Sequence, residues 1–516
     1  MINYEEETKM KFETLELFRK YTDDATFEKI KEMDTLTEML SYCGKSYADE
    51  PAITDASGTY TYAQLYNDVA HFRAVLKENG IQSGTNVGII GANSYALVKA
   101  FLAVTTYGCT ALVLPIQLDD KTVFGCSMKF NLSGLVYHGA FEEKVAFARD
   151  TNKRLACIEW SASSDKTEEA AKVEATTPCA IMFTGGTTGR SKGALLNHRA
   201  MMQGTVNGCY GYKDVFGQKY MLALPLSHIF GLVRNMLTPL YTGSHVFICK
   251  TPKDLFSDIA VFKPTVLVLV PALLEMALNL SKKFNRNMLG QDMKYIICGA
   301  AAVAPYLIKE YDKLGITVFP GYGLTESANL VSGNPEQKTK PESVGIPYPH
   351  QEFKIVDGEL WLKGLNMMDG YVGEQEENES AYEDGWFKTG DLVRLDEEGF
   401  LYITGRCKDI IILENGENVS PAEVEVYFNE IEVVQDSQVF EDVLENGKHI
   451  LAVEVVPRAT ELARLGVTDA VGYVTEQLKE VNAKLPSHMK VSKFTVRDSD
   501  FERTPSMKIV RYKKCN

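Results

Sequence analysis

The chain has 516 residues, of which 45% are hydrophobic, 10% aromatic and 24% charged. That length exceeds what one hydrophobic core supports and calls for about two to four domains. A formal net charge of −15 argues against non-specific binding to nucleic acid.

The N-terminal stretch "MINYEEETKMKFETLELFRK" is charged throughout and lacks the apolar core of a signal peptide. The most apolar long run, "TVLVLVPALLEMALNL" from Thr265, is interrupted by Pro271 and Glu275. It falls short of the ~20 apolar residues of a spanning helix. The ten cysteines form no CxxC pair and the eight histidines no HExxH or HxxxH pair. They read as reduced thiols of a cytoplasmic protein without a cysteine or histidine metal site.

In chain order, short apolar runs alternate with helix-length segments. "NVGII" from Asn86, "ALVLP" from Ala111, "LACIE" from Leu155, "YMLALP" from Tyr220, "SHVFI" from Ser244, "TVLVLV" from Thr265 and "YIICGA" from Tyr295 read as buried strands. Residues 94–107 and 271–281 read as helices between them. This alternation predicts an α/β fold with parallel-rich sheets in a large N-terminal unit. Near residue 350 the pattern turns to hairpins: "FKIVDGELWLKG" carries an Asp-Gly turn at Asp357 and Gly358. A helix starts at Ser420-Pro421, with Glu423 in the capping-box position. The last hundred residues read as a small α+β domain, with helices at 420–430 and 470–484 and strands between and after them.

The stretch "IMFTGGTTGRSKGALLNHRA" runs from Ile181 to Ala200. A strand-like start leads into six residues that are all Gly or Thr, then Arg190, Ser191, Lys192 and Gly193, and a run that reads as a helix continuing from the loop. Successive backbone N–H groups in such a turn converge on a phosphate, and threonine hydroxyls and a lysine add donors. On its own the stretch also admits a flexible surface turn, the lesser of the two readings. It is not a Walker loop, because Ser191 precedes Lys192 and Gly193 follows it. No GxGxxG opens a helix elsewhere.

The order of residues here resembles the signature loop of the adenylate-forming superfamily, which includes acyl-CoA synthetases, luciferase-like enzymes and peptide-synthetase adenylation domains. Phe183, Thr184, Gly186, Thr187, Thr188, Gly189, Lys192 and Gly193 are in register with it. Gly185 stands where Ser is usual, and Ser191 where Pro is usual. Further motifs follow in the family's order. "LPLSHIFG" resembles the segment with an aromatic gate to the carboxylate pocket and offers His228. "CGAAAV" from Cys298 resembles the small-residue turn against which adenine packs, at Gly299, Ala300 and Ala301. In "GYGLTES" the resemblance implies that Tyr322 stacks on adenine beside Gly323, Thr325 reaches phosphate and Glu326 holds Mg²⁺. In "DGWFKTGDLV" it gives Asp391 the ribose hydroxyls, and farther on Arg406 the ribose and phosphate. Lys408 matches the hinge between the large and small domains, and Gly416 the turn that approaches coenzyme A. Lys508, in "RTPSMKIVR", matches the mobile catalytic lysine, with Met507 replacing the usual Gly. From Lys484 onward nine Lys/Arg stand against three Asp/Glu, a local basic excess in an acidic chain.

The resemblance spans nearly the whole chain, from Gly58 to Arg511. It implies a large domain of residues 1–407, including a small β-barrel-like part, and a mobile domain of residues 408–516. It further implies ATP, Mg²⁺ and coenzyme A as cofactor and co-substrates. The implied reaction activates a carboxylic acid as acyl-AMP and then transfers the acyl group to a thiol. The gate segment lacks the acid that holds an amino group in amino-acid-activating relatives. The run after His228 is mostly apolar, which favours a free-standing ligase for a fatty or aryl acid. Loading of a separate acyl- or peptidyl-carrier protein, and a nucleotide-binding module without catalysis, are the alternatives.

Overall fold

The computed structural model describes residues 14–184, 192–412, 418–444, 449–503 and 509–511. Two large sheets sandwich one continuous core. The first has nine strands in the order Ile346–Pro347, Ser332–Gly333, Thr317–Tyr322, Tyr295–Cys298, Val266–Leu269, Lys219–Leu222, His245–Ile248, Pro51–Asp55 and Gly58–Thr61. Its six central strands, from Thr317–Tyr322 to Pro51–Asp55, run parallel. The second has seven strands in the order Gly370–Tyr371, Gly193–Asn197, Pro178–Phe183, Thr110–Leu114, Asn86–Ile90, Leu132–Tyr137 and Ala156–Glu159.

The apolar runs are continuous because these strands are covered on both faces. In Val266–Leu269, Val266 and Val268 join the central core while Leu267 and Leu269 join a second cluster on the outer face. Between the sheets lies the helix Tyr95–Thr106, with ten of its twelve residues buried. Ser94 caps it, its hydroxyl accepting from the Leu97 N–H at 3.3 Å. A third, antiparallel sheet is built on the hairpin Gln351–Val356 and Glu359–Gly364, whose turn residues Asp357 and Gly358 have φ of 49° and 82°. That is the double left-handed turn an Asp-Gly pair favours. Trp386–Leu395 and Leu401–Arg406 complete the part of this sheet that reaches the site. The smaller C-terminal domain packs the helices Pro421–Asn429 and Ala470–Lys484 on a sheet of Val434–Val443, His449–Pro457 and Lys493–Val496.

Two local expectations are corrected. The run after Lys192 is a strand, Gly193–Asn197, antiparallel to Pro178–Phe183, and the helix starts only at His198. Leu196 packs in the central core while Ile181, from the neighbouring strand, packs on the opposite face, so this segment is consumed as sheet. The helix at Pro421 begins as expected, but Ser420 makes no side-chain cap. Its hydroxyl donates instead to the Thr404 carbonyl at 2.6 Å, tying the helix to the third sheet.

His198 opens its helix from inside the core, fully buried. Its Nδ1 accepts from the Leu36 N–H at 3.2 Å, which requires that nitrogen to be unprotonated. Burial lowers its pKa from 6.5 to about 4. The folded state therefore refuses a proton that the unfolded chain takes up. The stabilisation is complete above pH 6.5 and is lost as pH falls from 6.5 towards 4, a loss on the order of 3 kcal/mol. Urea midpoints of the wild type should decline through this window. His198→Asn, whose amide oxygen can still accept from Leu36, should decline less steeply; equal slopes would remove His198 from the acid sensitivity.

Candidate functional site

A cavity of ≈290 Å³ opens where the three sheets converge. Two adjacent parallel strands, Tyr295–Cys298 and Thr317–Tyr322, end at it. The carboxyl ends of parallel strands are where open α/β sheets place ligands. The chain leaves the first strand through Gly299 and Ala300, both in the wall, with Ala300 at φ 67°. Ala301 is exposed and does not line the cavity. The second strand delivers Tyr322, Gly323, Thr325 and Glu326. Gly323 is required by packing, since a Cβ there would sit 1.2 Å from the Asn329 carbonyl oxygen.

Asp391 lies just behind this wall with its side chain 3% exposed. It pairs in register with Arg406 on the neighbouring strand. Arg406 Nε donates to Asp391 Oδ1 at 2.7 Å, and the Tyr322 hydroxyl donates to Asp391 Oδ2 at 2.6 Å. Gly390, at φ 72°, turns the chain so that Asp391 faces inward. Burial, then the Asp391 charge, raises the Tyr322 phenol well above its ordinary value. Burial alone would lower the Arg406 guanidinium; Asp391 overrides it and holds it raised. Each carboxylate oxygen keeps a lone pair for one more donor.

Glu326 occupies the next stretch of wall. Its Oε1 accepts from the Tyr371 hydroxyl at 2.8 Å, and the Lys192 ammonium sits 4.8 Å from the centre of the Tyr371 ring. Burial, then Glu326, raises the Tyr371 phenol. Tyr371 reaches the site because Gly370–Tyr371 pairs with Leu195 and Ala194, in the strand that begins at Gly193 directly after Lys192. Sequence reasoning missed it: a Gly-Tyr pair in a loop carries no signal until that pairing forms. Thr184 and Lys408 also line the cavity. Burial, then Arg406, lowers the Lys408 ammonium.

A histidine and a cluster of aromatic side chains also line the cavity. His228 is half-buried in the wall, with its Nδ1 accepting from the Phe230 N–H at 3.2 Å. Phe18 and Tyr348 stack at 5.0 Å, and Tyr212 packs on Phe319 at 4.6 Å. Phe18 was also missed, since it arrives on the helix Thr14–Arg19, far from every motif. Of the run after His228, Ile229, Phe230 and Arg234 line the cavity, while Leu232, Val233 and Met236 pack into the central core.

The structure thus brings together Thr184, Lys192, His228, Gly299, Ala300, Tyr322, Gly323, Thr325, Glu326, Arg406 and Lys408, with Asp391 behind. Gly185, Gly186, Thr187, Thr188, Gly189, Gly416 and Lys508 lie outside the described residues. Among the described residues no group of three or more His, Cys, Asp or Glu could cage a metal. No helix of the described residues is long and apolar enough to cross a membrane.

Residues 41–372 match the family model of the AMP-binding enzymes, and residues 408–515 match that of the AMP-binding enzyme C-terminal domain. A long-chain-fatty-acid–CoA ligase of Mycobacterium bovis is 26% identical, across 87% of this chain and 89% of that protein. An indoleacetate–CoA ligase of Aromatoleum aromaticum is 27% identical, across 77% of this chain and 83% of its own. The solved o-succinylbenzoate CoA synthetase from Bacillus subtilis, in complex with its acyl-adenylate intermediate, has a TM-score of 0.76 at 26% identity. That likeness covers 92% of this chain and 96% of the other. An anthranilate CoA ligase in complex with anthranoyl-AMP shares the fold, with a TM-score of 0.82 at 19% identity over 92% of this chain and 95% of its own.

Proposed function

This chain belongs to the AMP-binding enzyme family and is an AMP-forming acid:CoA ligase; we propose that its acid is hydrophobic and that the pocket residues divide the two half-reactions between them. The observation that carries this reading is the set of groups gathered at one cavity. A carboxylate with a phenol on it, a histidine and several aromatic side chains line it, and an anchored carboxylate, Asp391, lies just behind its wall.

A carboxylate acylates poorly because its leaving group would be oxide. Attack on the α-phosphate of ATP makes a mixed anhydride with AMP and expels pyrophosphate. A thiol then displaces AMP. In the first step an anion approaches a polyanion, so the barrier is electrostatic. We assign Asp391 to the ribose hydroxyls, with Tyr322 and Arg406 fixing its orientation. Tyr322, Gly299 and Ala300 form the adenine side, and Thr325 and Lys192 face the phosphates. His228 borders the reacting carboxylate.

Glu326 would hold Mg²⁺ with phosphate oxygens and water, and Tyr371 would position that carboxylate. A lone carboxylate fits this ion, which takes one or two carboxylates plus substrate phosphates. When bound, the ion supplies positive charge against the phosphates. The aromatic walls, and relatives named for fatty and indoleacetic acids, support a hydrophobic acid.

We place the domain boundary between residues 407 and 408, with the small domain turning about Lys408 to exchange Lys508 for the Gly416 turn between the half-reactions. Lys408 sits in the one-turn segment Cys407–Asp409, and the C-terminal family match starts there. Polar contacts such as Arg458 Nε to Glu275 Oε1 at 3.0 Å and Lys282 Nζ to Glu461 Oε1 at 2.9 Å join the two units. Contacts of this kind exchange readily in a hinge motion.

Lys508→Ala should lower acid-dependent ATP–pyrophosphate exchange by about 10²–10³-fold. Given pre-made acyl-adenylate and coenzyme A, the same variant should still form thioester at near-wild-type rate. Equal loss in both assays contradicts the alternation, and absence of acid-dependent exchange in the wild type contradicts the ligase reading.

A second expectation concerns Tyr371. Tyr371→Phe should raise the Mg²⁺ concentration for half-maximal exchange by about tenfold, because the orienting hydroxyl on Glu326 is gone. An unchanged Mg²⁺ dependence would reduce Tyr371 to packing.

A further inference from the structure

Three arginines are buried among the described residues, and two of them hold polar partners. Arg73 donates to the Glu168 carbonyl and the Thr106 hydroxyl, and Arg458 donates to Glu275 and the Glu432 carbonyl, leaving only its Nη2 without a partner. Arg234 is different. It is 1% exposed, lines the cavity, and neither Nη1 nor Nη2 has a hydrogen-bond partner. Its guanidinium carbon lies 5.3 Å from the centre of the Tyr212 ring, and the phenols of Tyr212 and Tyr220 lie close enough to feel its charge without completing a hydrogen bond to Nη1 or Nη2. A ring face returns only part of what it costs to take a guanidinium out of water.

Its placement comes from an unusual backbone. Phe230–Leu237 is a π-helix, a wide coil that seldom persists this long. It carries Arg234 into the end of the cavity lined by Phe18, Tyr212 and Tyr348. A second orphaned donor, Asn329 Nδ2, belongs to a residue of the same wall. Two parallel N–H donors of a guanidinium match the two oxygens of a carboxylate.

We propose that Arg234 determines the specificity of the acid pocket, and that the acid this chain activates carries a second carboxylate at the end remote from the carboxyl group that is adenylated. This rests on the ligase reading and narrows it: the body of the acid lies against the aromatic walls, and its distal anion completes the guanidinium. A monocarboxylate of the same shape leaves Arg234 buried and unpaired. Sites built around a buried polar group discriminate steeply against a ligand that lacks its partner.

The test uses the full chain with ATP, Mg²⁺ and coenzyme A, and reads kcat/KM for AMP release. One arm is a straight-chain series of α,ω-dicarboxylates with the matching monocarboxylates. The other is 4-carboxybenzoate, its monomethyl ester and 4-methylbenzoate. In the better-used series the wild type should favour the dicarboxylate over the apolar match by about 100-fold or more, with the ester near the apolar match. Arg234→Met should bring that ratio to about one, and Arg234→Lys should keep part of it. A purely structural Arg234 would lower both acids together and leave the ratio alone. Should Arg234→Met fail to fold, the wild-type ratios decide.

Wild-type ratios at or below one in both series overturn the proposal while leaving the ligase reading intact. An ester used as well as the dicarboxylate overturns the second charge. Absence of AMP release with every acid overturns the ligase reading itself, and the proposal with it.

Discussion

A single buried carboxylate holds the site together. Asp391 belongs to the third sheet, yet one of its oxygens is fixed by Tyr322, from the end of a strand in the nine-stranded sheet. Its other oxygen is fixed by Arg406, one residue before the turn that contains Lys408. Two sheets therefore meet on one side chain. A charge buried this deeply is tolerable only with partners on both oxygens. Those partners also give it one orientation.

The remaining features serve close approach. Gly323 lets the turn after Tyr322 lie against the backbone of Asn329, and Ala300 in the left-handed region turns the neighbouring strand's exit across the cavity. Small residues there leave room against backbone. The cavity is lined both by charged and polar groups and by aromatic side chains, with one buried arginine among the latter.

Much of this was legible in the sequence because the key residues sit in contiguous motifs at strand ends. "GYGLTES" brings Tyr322, Gly323, Thr325 and Glu326 on one strand-to-turn segment, and its order alone carries them into one wall. The hairpin at Asp357-Gly358 was legible for the same reason, since its chemistry is local. What was not legible depends on register between distant segments. Tyr371 meets Glu326 only through pairing of its strand with the one after Lys192, and Phe18 arrives from the far N-terminal end. The residues from Gly193 to Asn197 suit a helix locally, but sheet burial on both faces decides otherwise. Ser420 carries the right residue type for a cap, and loses that role to the Thr404 carbonyl. The orientation of Arg234 hangs on a π-helix that no periodicity in the sequence announces.

Asp391 is the anchor proposed for the nucleotide, and calorimetric titration of ATP into Asp391→Asn measures that role directly. The substitution keeps the size of the side chain and removes its charge. It should weaken ATP binding by about 10–100-fold, the worth of hydrogen bonds to a charged acceptor, and leave binding of the carboxylic acid unchanged. Wild-type affinity for ATP in this variant, or a loss confined to the acid, would place the nucleotide elsewhere and contradict the account.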